Sequence, residues 1–287
     1  MSVPENPQRG EYAMKGQLSA FEHHLRREEK SRATIEKYQR DVQGFLAFLA
    51  GRRPSSGTVA AYKEYLTARY APASVNSMLV AVNRFLRFCG LGGCCARLIK
   101  IQRQTYCPEE KELTKAEYTR LCRAAEKKQD QRLNLILQAI CSTGIRVSEL
   151  QYITVEAVGR GEAVVSLKGK TRRVFLVREL RKKLLGYAAE HKIQSGCIFI
   201  TRTGKPVSRT NIWREMKGLC VAAGVDPRKV FPHNLRHLFA RTFYRLEKDI
   251  AKLADILGHS NIETTRIYII STGAEHRRKL ENMRLMI

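Results

Sequence analysis

The sequence predicts a mainly α protein of two domains: an N-terminal helical domain, then a mostly α domain carrying a small antiparallel β-hairpin. Three observations lead there. Apolar residues recur at helical intervals along nearly the whole chain. A polar, aperiodic stretch from Gln102 to Lys111, containing Pro108, divides it. One pair of short runs, Ala163 to Leu167 and Arg172 to Val177, has strand character around a turn at Lys168-Gly-Lys-Thr171. With 287 residues, both domains can build apolar cores without a stapling disulfide or metal. The boundaries are set at 14–103 for the first domain, 104–112 for the linker and 113–287 for the second.

In the first domain, Tyr38, Val42, Phe45, Leu46 and Leu49 mark one helix face, with Lys37, Arg40 and Asp41 opposite. The breaker Gly51 to Gly57 follows. Val59 to Ala68 is a second helix, and Pro72 opens a third with Val75, Leu79, Val82 and Leu86 on one side. The second domain starts on a capping-box spacing, Thr114 with Glu117, and Leu113 with Tyr118 has the spacing of a hydrophobic staple. A helix from Leu133 to Cys141 runs to Gly144, a natural left-handed stop. Beyond the hairpin the chain reads as helical, broken at Arg202 to Pro206. Ala274 to Ile287 forms a terminal helix.

Lys and Arg total 52 against 27 Asp and Glu, a formal charge of +25 on a chain that is 44% hydrophobic. That describes a folded protein with a polyanionic partner, and nucleic acid is the first expectation. An anionic membrane is the competitor, but no apolar run approaches the about 20 residues a spanning helix needs. The polar N-terminal stretch has no signal-peptide core, so a cytoplasmic protein is expected. None of the eight Cys forms paired CxxC motifs. Cys122 and Cys141 have the spacing of small buried hydrophobes, and a metal site at Cys94-Cys95 is the weaker alternative.

Four separated segments hold the chemistry: Thr143 to Leu150 with Arg146, the turn at Lys168, His233 to His237 with Arg236, and Leu257 to Tyr268 with His259. Transfer of a phosphodiester requires its charge to be neutralised, which forked guanidinium donors do bidentately. It also requires a nucleophile, a base, and an acid for the leaving oxygen. Each residue alone has an ordinary reading: Tyr268 as core, the histidines as helix surface, Lys168 as a solvated turn, Arg146 as an ion-pair partner of Glu149.

The segments TGIRVSEL (143–150), HNLRHLFA (233–240) and LGHSNIETTRIY (257–268) resemble the tyrosine recombinases, the phage-integrase-like family, nearest to its two-domain Xer-type members. The spacings agree: three residues from His233 to Arg236, 23 from Arg236 to His259 and nine from His259 to Tyr268. The resemblance implies an N-terminal core-binding domain gripping duplex DNA and a catalytic domain. It implies Arg146 and Arg236 as a phosphate clamp, His259 as a further donor, His233 as the proton acceptor, Lys168 as the general acid and Tyr268 as the nucleophile. His237 is a supporting residue. A 3′-phosphotyrosyl intermediate conserves the ester energy, so neither metal nor ATP is implied. The partner is double-stranded DNA bearing a recombination site, bound by a homotetramer or a heterotetramer with a paralogue. The terminal helix docks on a neighbouring protomer or completes its own core. Arg26, Arg27, Lys30, Arg32, Lys37, Arg40, Arg84 and Arg87 are the candidate DNA contacts. The hairpin turn is one residue shorter than the family's usual form, which leaves Lys170 as the alternative acid. Phe175 stands in place of a frequent Pro, and Ile-Ile-Ser-Thr follows Tyr268. Two rival functions stand beside recombination: a nicking-closing topoisomerase-like enzyme, and a non-catalytic architectural DNA-binding protein.

Overall fold

A computed structural model describes residues 7–101, 112–167, 170–269 and 281–283. The chain divides into two compact units, Met1–Arg103 and Gln104–Ile287.

The first unit contains α1 (Pro7–Arg27), α2 (Arg32–Leu49), α3 (Ser56–Thr67) and α4 (Pro72–Phe88). Each start has a local cause. Ser31 caps α2 by accepting from the Thr34 amide, Ser55 and Thr58 form a capping box on α3, and Pro72 occupies the first turn of α4. Sequence periodicity missed α1, whose apolar residues are sparse. Phe21 and Leu25 of α1 are fully buried, and the Phe21 ring meets Phe85 edge-on at 5.4 Å. Phe45, Val59, Tyr62, Val75, Leu79 and Leu86 form the other half of this core.

Two asparagines on α4 then fasten the chain that leaves the helix. The buried Asn83 donates to the Ala96 carbonyl at 2.8 Å and accepts from its amide at 2.9 Å. Asn76 does the same with Ile99, both bonds at 2.8 Å. Residues 96–99 thereby satisfy backbone groups without belonging to any helix or sheet.

The second unit runs α5 (Lys115–Lys127), α6 (Gln131–Thr143), a 3₁₀ turn (Val147–Tyr152), α7 (Val155–Arg160), β1 (Glu162–Leu167), β2 (Lys170–Phe175), α8 (Arg178–Glu190), α9 (Arg209–Lys217), α10 (Cys220–Ala223), α11 (Pro232–Glu247), α12 (Ile250–Leu257) and α13 (Ile262–Ile269). The Thr114–Glu117 capping box forms as the sequence predicts. Leu113 is buried and Tyr118 packs on the same cluster. Helix α6 carries Leu133, Ile136, Leu137 and Ile140 into the centre, where α5, α8 and α11 surround it. Cys122 and Cys141 pack against this core, and burial pushes their thiols up to about 11 and about 12.

The hairpin corrects one boundary. The strands pair antiparallel from Glu162 opposite Phe175 to Leu167 opposite Lys170, so Lys170 and Thr171 belong to β2 rather than to the turn, and Leu176 and Val177 lie past its end. The ladder closes as tightly as a two-residue connection allows, which draws two turn residues into the strand. Lys168 and Gly169, which connect the strands, lie outside the described residues. So does the terminal helix expected over 274–287, apart from 281–283.

Among the described residues, no helix is long and apolar enough to cross a membrane. Nor does any group of three His, Cys, Asp or Glu among them stand close enough to hold a metal ion.

Candidate active site

The site is assembled at the ends of elements. Helix α6 stops at Gly144, whose φ of +64° suits glycine, and a Cβ there would sit 2.5 Å from Phe239 Cδ1. The stop leaves the Gly144 carbonyl facing α11 and sets Arg146 two residues on, at the head of the 3₁₀ turn. There Glu149 accepts from the Arg146 amide at 2.9 Å and from its Nη1 at 2.8 Å. Glu149 is 1% exposed and the Arg146 side chain 39%, so the pair presents one buried and one solvent-facing partner. A second arginine, Arg172 of β2, donates at 2.5 Å to Glu149 Oε2, the oxygen that also accepts from the Arg146 amide. Burial pushes the Glu149 carboxyl up. The Arg146 hydrogen bonds and the charges of both arginines outweigh it and hold the group below the usual carboxylate range.

Pro232 opens α11, and His233, Arg236 and His237 follow at helical spacing on one face while Leu235 and Leu238 face the core. Arg236 is 2% exposed. Its Nη1 donates to the Gly144 carbonyl, and its Nη2 donates to the Leu257 carbonyl at 2.7 Å and to His259 Nε2 at 3.0 Å. Burial first, then the Arg146 charge, pulls this guanidinium down to about 10, and Tyr268 opposes the pull.

Helix α12 ends at Gly258, with φ +65°, and hands the chain to His259. A guanidinium can only donate, so His259 Nε2 accepts from Arg236. The ring is neutral, with its proton on Nδ1 directed at Thr265 Oγ1 at 2.9 Å. Burial, then the charges of Arg236, Arg146 and Arg172, pushes His259 down to about 4. Thr265 is fully buried one turn before Tyr268. Nothing in sequence distinguishes it from any other helical threonine.

Three imidazoles surround the buried Tyr268 ring: His237 at 4.3 Å between centroids, His233 at 5.4 Å and His259 at 5.5 Å. His237, read from sequence as a support, lies nearest to the tyrosine, its ring tilted 39° to the phenol. Its burial, then His233 and Arg236, takes it down to about 4. The outer edge of His233 is exposed, yet the part set against its neighbours is desolvated. Together with the charges of Arg236, Arg146 and Arg209, this lowers its proton affinity. Five of the six sequence-predicted residues, Arg146, His233, Arg236, His259 and Tyr268, therefore converge, and Lys168 lies outside the described residues.

The candidate DNA contacts divide into two kinds. Arg26, Arg27, Lys30, Arg32, Arg40 and Arg87 are exposed. Lys37 pairs with Asp41 and reaches the Ser77 carbonyl at 3.0 Å, and Arg84 pairs with Glu28, so both also tie helices of their own unit together.

This geometry can neutralise an anion, accept a proton and present a phenol at one place. Residues 111–275 match the phage integrase family, and residues 18–90 match the phage integrase N-terminal SAM-like domain. The chain belongs to the phage integrase family. It is a tyrosine recombinase, an enzyme of site-specific DNA recombination. Tyrosine recombinase XerD of Xanthomonas campestris pv. campestris is 30% identical over 268 residues, covering 84% of this chain and 82% of the relative. The crystal structure of XerA recombinase is 26% identical, covers 96% of this chain and 100% of its own, and superposes with a TM-score of 0.54. A lambda integrase tetramer bound to a Holliday junction is 18% identical and shares the fold, with a TM-score of 0.71 over 88% of this chain and 76% of that one.

Proposed function

We propose that this recombinase cleaves one strand of a duplex through Tyr268 and passes it to a partner strand. Arg146 and Arg236 hold the non-bridging oxygens of the scissile phosphate. The phenolic proton of Tyr268 passes to His233, which its lowered proton affinity keeps neutral and able to accept at neutral pH. The Tyr268 oxygen bonds to phosphorus, the bond to the 5′-oxygen breaks, and Lys168 protonates the leaving oxygen. The product is a 3′-phosphotyrosyl bond with its ester energy retained. A 5′-hydroxyl from the partner strand attacks that bond and frees the tyrosine. A bound phosphate offsets the guanidinium charges that press on His259, which raises its proton affinity and lets Nε2 donate to the anion.

The observation that carries this reading is the convergence of Arg236, His259, His233 and His237 on the buried Tyr268. Support for duplex DNA as the substrate comes from the +25 charge and from the lambda integrase complex. That complex also supports a tetramer on synapsed DNA, and a DNA substrate implies work in the bacterial cytoplasm, at the nucleoid. Resolution of replicons and integration or excision of mobile DNA are both served by this chemistry.

The test uses duplexes selected by affinity from a random pool and nicked beside the bound site, so that cleavage traps the enzyme. We expect denaturation-resistant adducts with the wild type and none with Tyr268→Phe at similar DNA affinity. Adducts that persist in Tyr268→Phe would refute the assignment of the nucleophile. Relaxation of supercoiled DNA without strand transfer between duplexes would favour the topoisomerase-like alternative.

A further inference from the structure

We propose that Arg172 is a positioning residue that locks the hairpin carrying Lys168 to the phosphate clamp. This rests on the function proposed above and goes beyond it, because no role for Arg172 follows from the reaction itself.

The strand pattern makes the residue conspicuous. Along β2 and the residues after it, Thr171, Arg173 and Phe175 face solvent, while Val174 and Leu176 face the core. Arg172 stands on the core-facing side with them, 12% exposed, whereas the neighbouring Arg173 is 68% exposed. A guanidinium on the core face of a strand is costly unless its donors are satisfied.

The two Nη nitrogens of Arg172 donate to two separate segments, while its buried Nε has no partner among the described residues. Nη2 donates to Glu149 Oε2 at 2.5 Å, and the other oxygen of that carboxylate holds Arg146 at 2.8 Å. Nη1 donates to the Ile256 carbonyl at 2.7 Å, in the last turn of α12, three residues before His259. The carbonyl end of a helix favours a cation. The Arg172 stem also lies directly over Gly258, where an added Cβ would stand 2.3 Å from Cδ. One side chain rooted in β2 therefore fixes the acid that orients Arg146 and the turn that delivers His259. Its own strand begins at Lys170, directly after the turn that carries Lys168. Lysine cannot reproduce this, since an ammonium lacks the planar fork that spans a carboxylate and a carbonyl.

The experiment measures single-turnover cleavage of the nicked duplex by wild type, Arg172→Lys, Arg172→Met and Arg146→Lys. Each is run on the normal phosphate and on a substrate whose bridging 5′-oxygen is sulfur. Thermal unfolding and DNA affinity are recorded for all. A displacement of about 1 Å at a reacting group costs roughly 100-fold. We expect that loss in Arg172→Lys and Arg172→Met, with DNA affinity within about threefold of wild type. Because a thiolate leaves without protonation, sulfur should restore at least about tenfold of the loss in both Arg172 variants and little in Arg146→Lys. Cleavage by Arg172→Lys within about threefold of wild type overturns the proposal, as does a loss that sulfur leaves untouched. Should Arg172→Met fail to fold, Arg172→Lys, which keeps stem and charge, decides. A wild type that forms no adducts on either substrate would instead refute the proposed function.

Discussion

On the helical unit, cations that have a partner usually find an acid one helical turn away: Arg26 with Glu22 at 2.5 Å, Arg32 with Glu36 at 2.8 Å. Those pairs lie in solvent, where water screens them and either member can leave at little cost. In the second unit, Arg236 is buried against two backbone carbonyls and a histidine. Arg146 and Arg172 there share one buried carboxylate. The same residue type is thus free to follow a ligand in one region and held in advance of it in the other. Holding the charge in advance is what transition-state stabilisation demands, since donors fixed beforehand need no reorganisation as charge develops. A movable cation suits a backbone that only has to be gripped.

The largest effect that could break this contrast is at Arg236. Arg236→Ala should lower the cleavage rate by two to three orders of magnitude, about 3–4 kcal/mol. Arg236→Lys should recover little of it, because one ammonium cannot serve the Gly144 carbonyl, the Leu257 carbonyl and a phosphate together. Near-normal cleavage by Arg236→Lys in the nicked-duplex assay would mean that charge alone suffices and that the fixed geometry is idle.

Glu149 comes next. Glu149→Gln leaves two guanidinium groups facing an amide in a buried place, and removing one member of such a cluster costs about 3–5 kcal/mol. The chain's single Trp, Trp213, lies in α9, so its fluorescence during urea unfolding reports on this unit. Glu36→Gln, which unpairs the exposed Arg32, should leave the unfolding midpoint unmoved when the helices of both units are followed by far-ultraviolet circular dichroism. Equal and small effects at both acids would erase the distinction between the regions.

The contrast also explains what could be read in the sequence. The segments around Arg146, Arg236, His259 and Tyr268 were legible because their residue types and spacings are rare together. The helices were legible from apolar period and from caps such as Thr114 with Glu117. Arg172 was not, since the strand pattern shows a charge at a core position without showing Glu149, 23 residues earlier, which satisfies it. Asn76 and Asn83 were missed for the same reason. Their partners at Ile99 and Ala96 are backbone groups, which every residue has. Thr265 looks like any helical threonine until His259 is placed beside it. Periodicity reports which face is buried, and says nothing of which polar group waits there.

Acid should act on the second unit through its histidines. His237 and His259 are both pushed down to about 4. Above about pH 6.5 these rings are neutral folded or unfolded and contribute no pH dependence. As pH falls, the unfolded chain takes up protons that the folded rings refuse until about 4, so stability drops across that window. With both rings involved, the slope approaches about 2.7 kcal/mol per pH unit at its steepest. Urea unfolding followed by Trp213 between pH 7 and pH 4 checks it, and a flat profile would show that the rings are solvated. Bound DNA should flatten the slope, because the phosphate favours the protonated His259.

The smallest effects belong to the helical unit, and they test whether its cations are movable. Each Lys or Arg that neutralises a phosphate releases condensed counterions and adds about 0.9 to the slope of log K against log salt. Arg27, Arg40 and Arg87 are exposed, so replacing any one that grips DNA with Ala should lower the slope by about that amount. Binding should weaken evenly across sequences, because phosphate contacts carry no base information. Arg84 and Lys37 differ, since Glu28 and Asp41 already neutralise them. Removing either also unpairs an acid, so the slope should fall by less while the helical unit loses stability. Salt titrations of DNA affinity for the single variants separate the two groups. If Arg84→Ala lowers the slope as much as Arg87→Ala, Arg84 must leave Glu28 to meet the phosphate. The helical unit's paired cations would then be as movable as its unpaired ones.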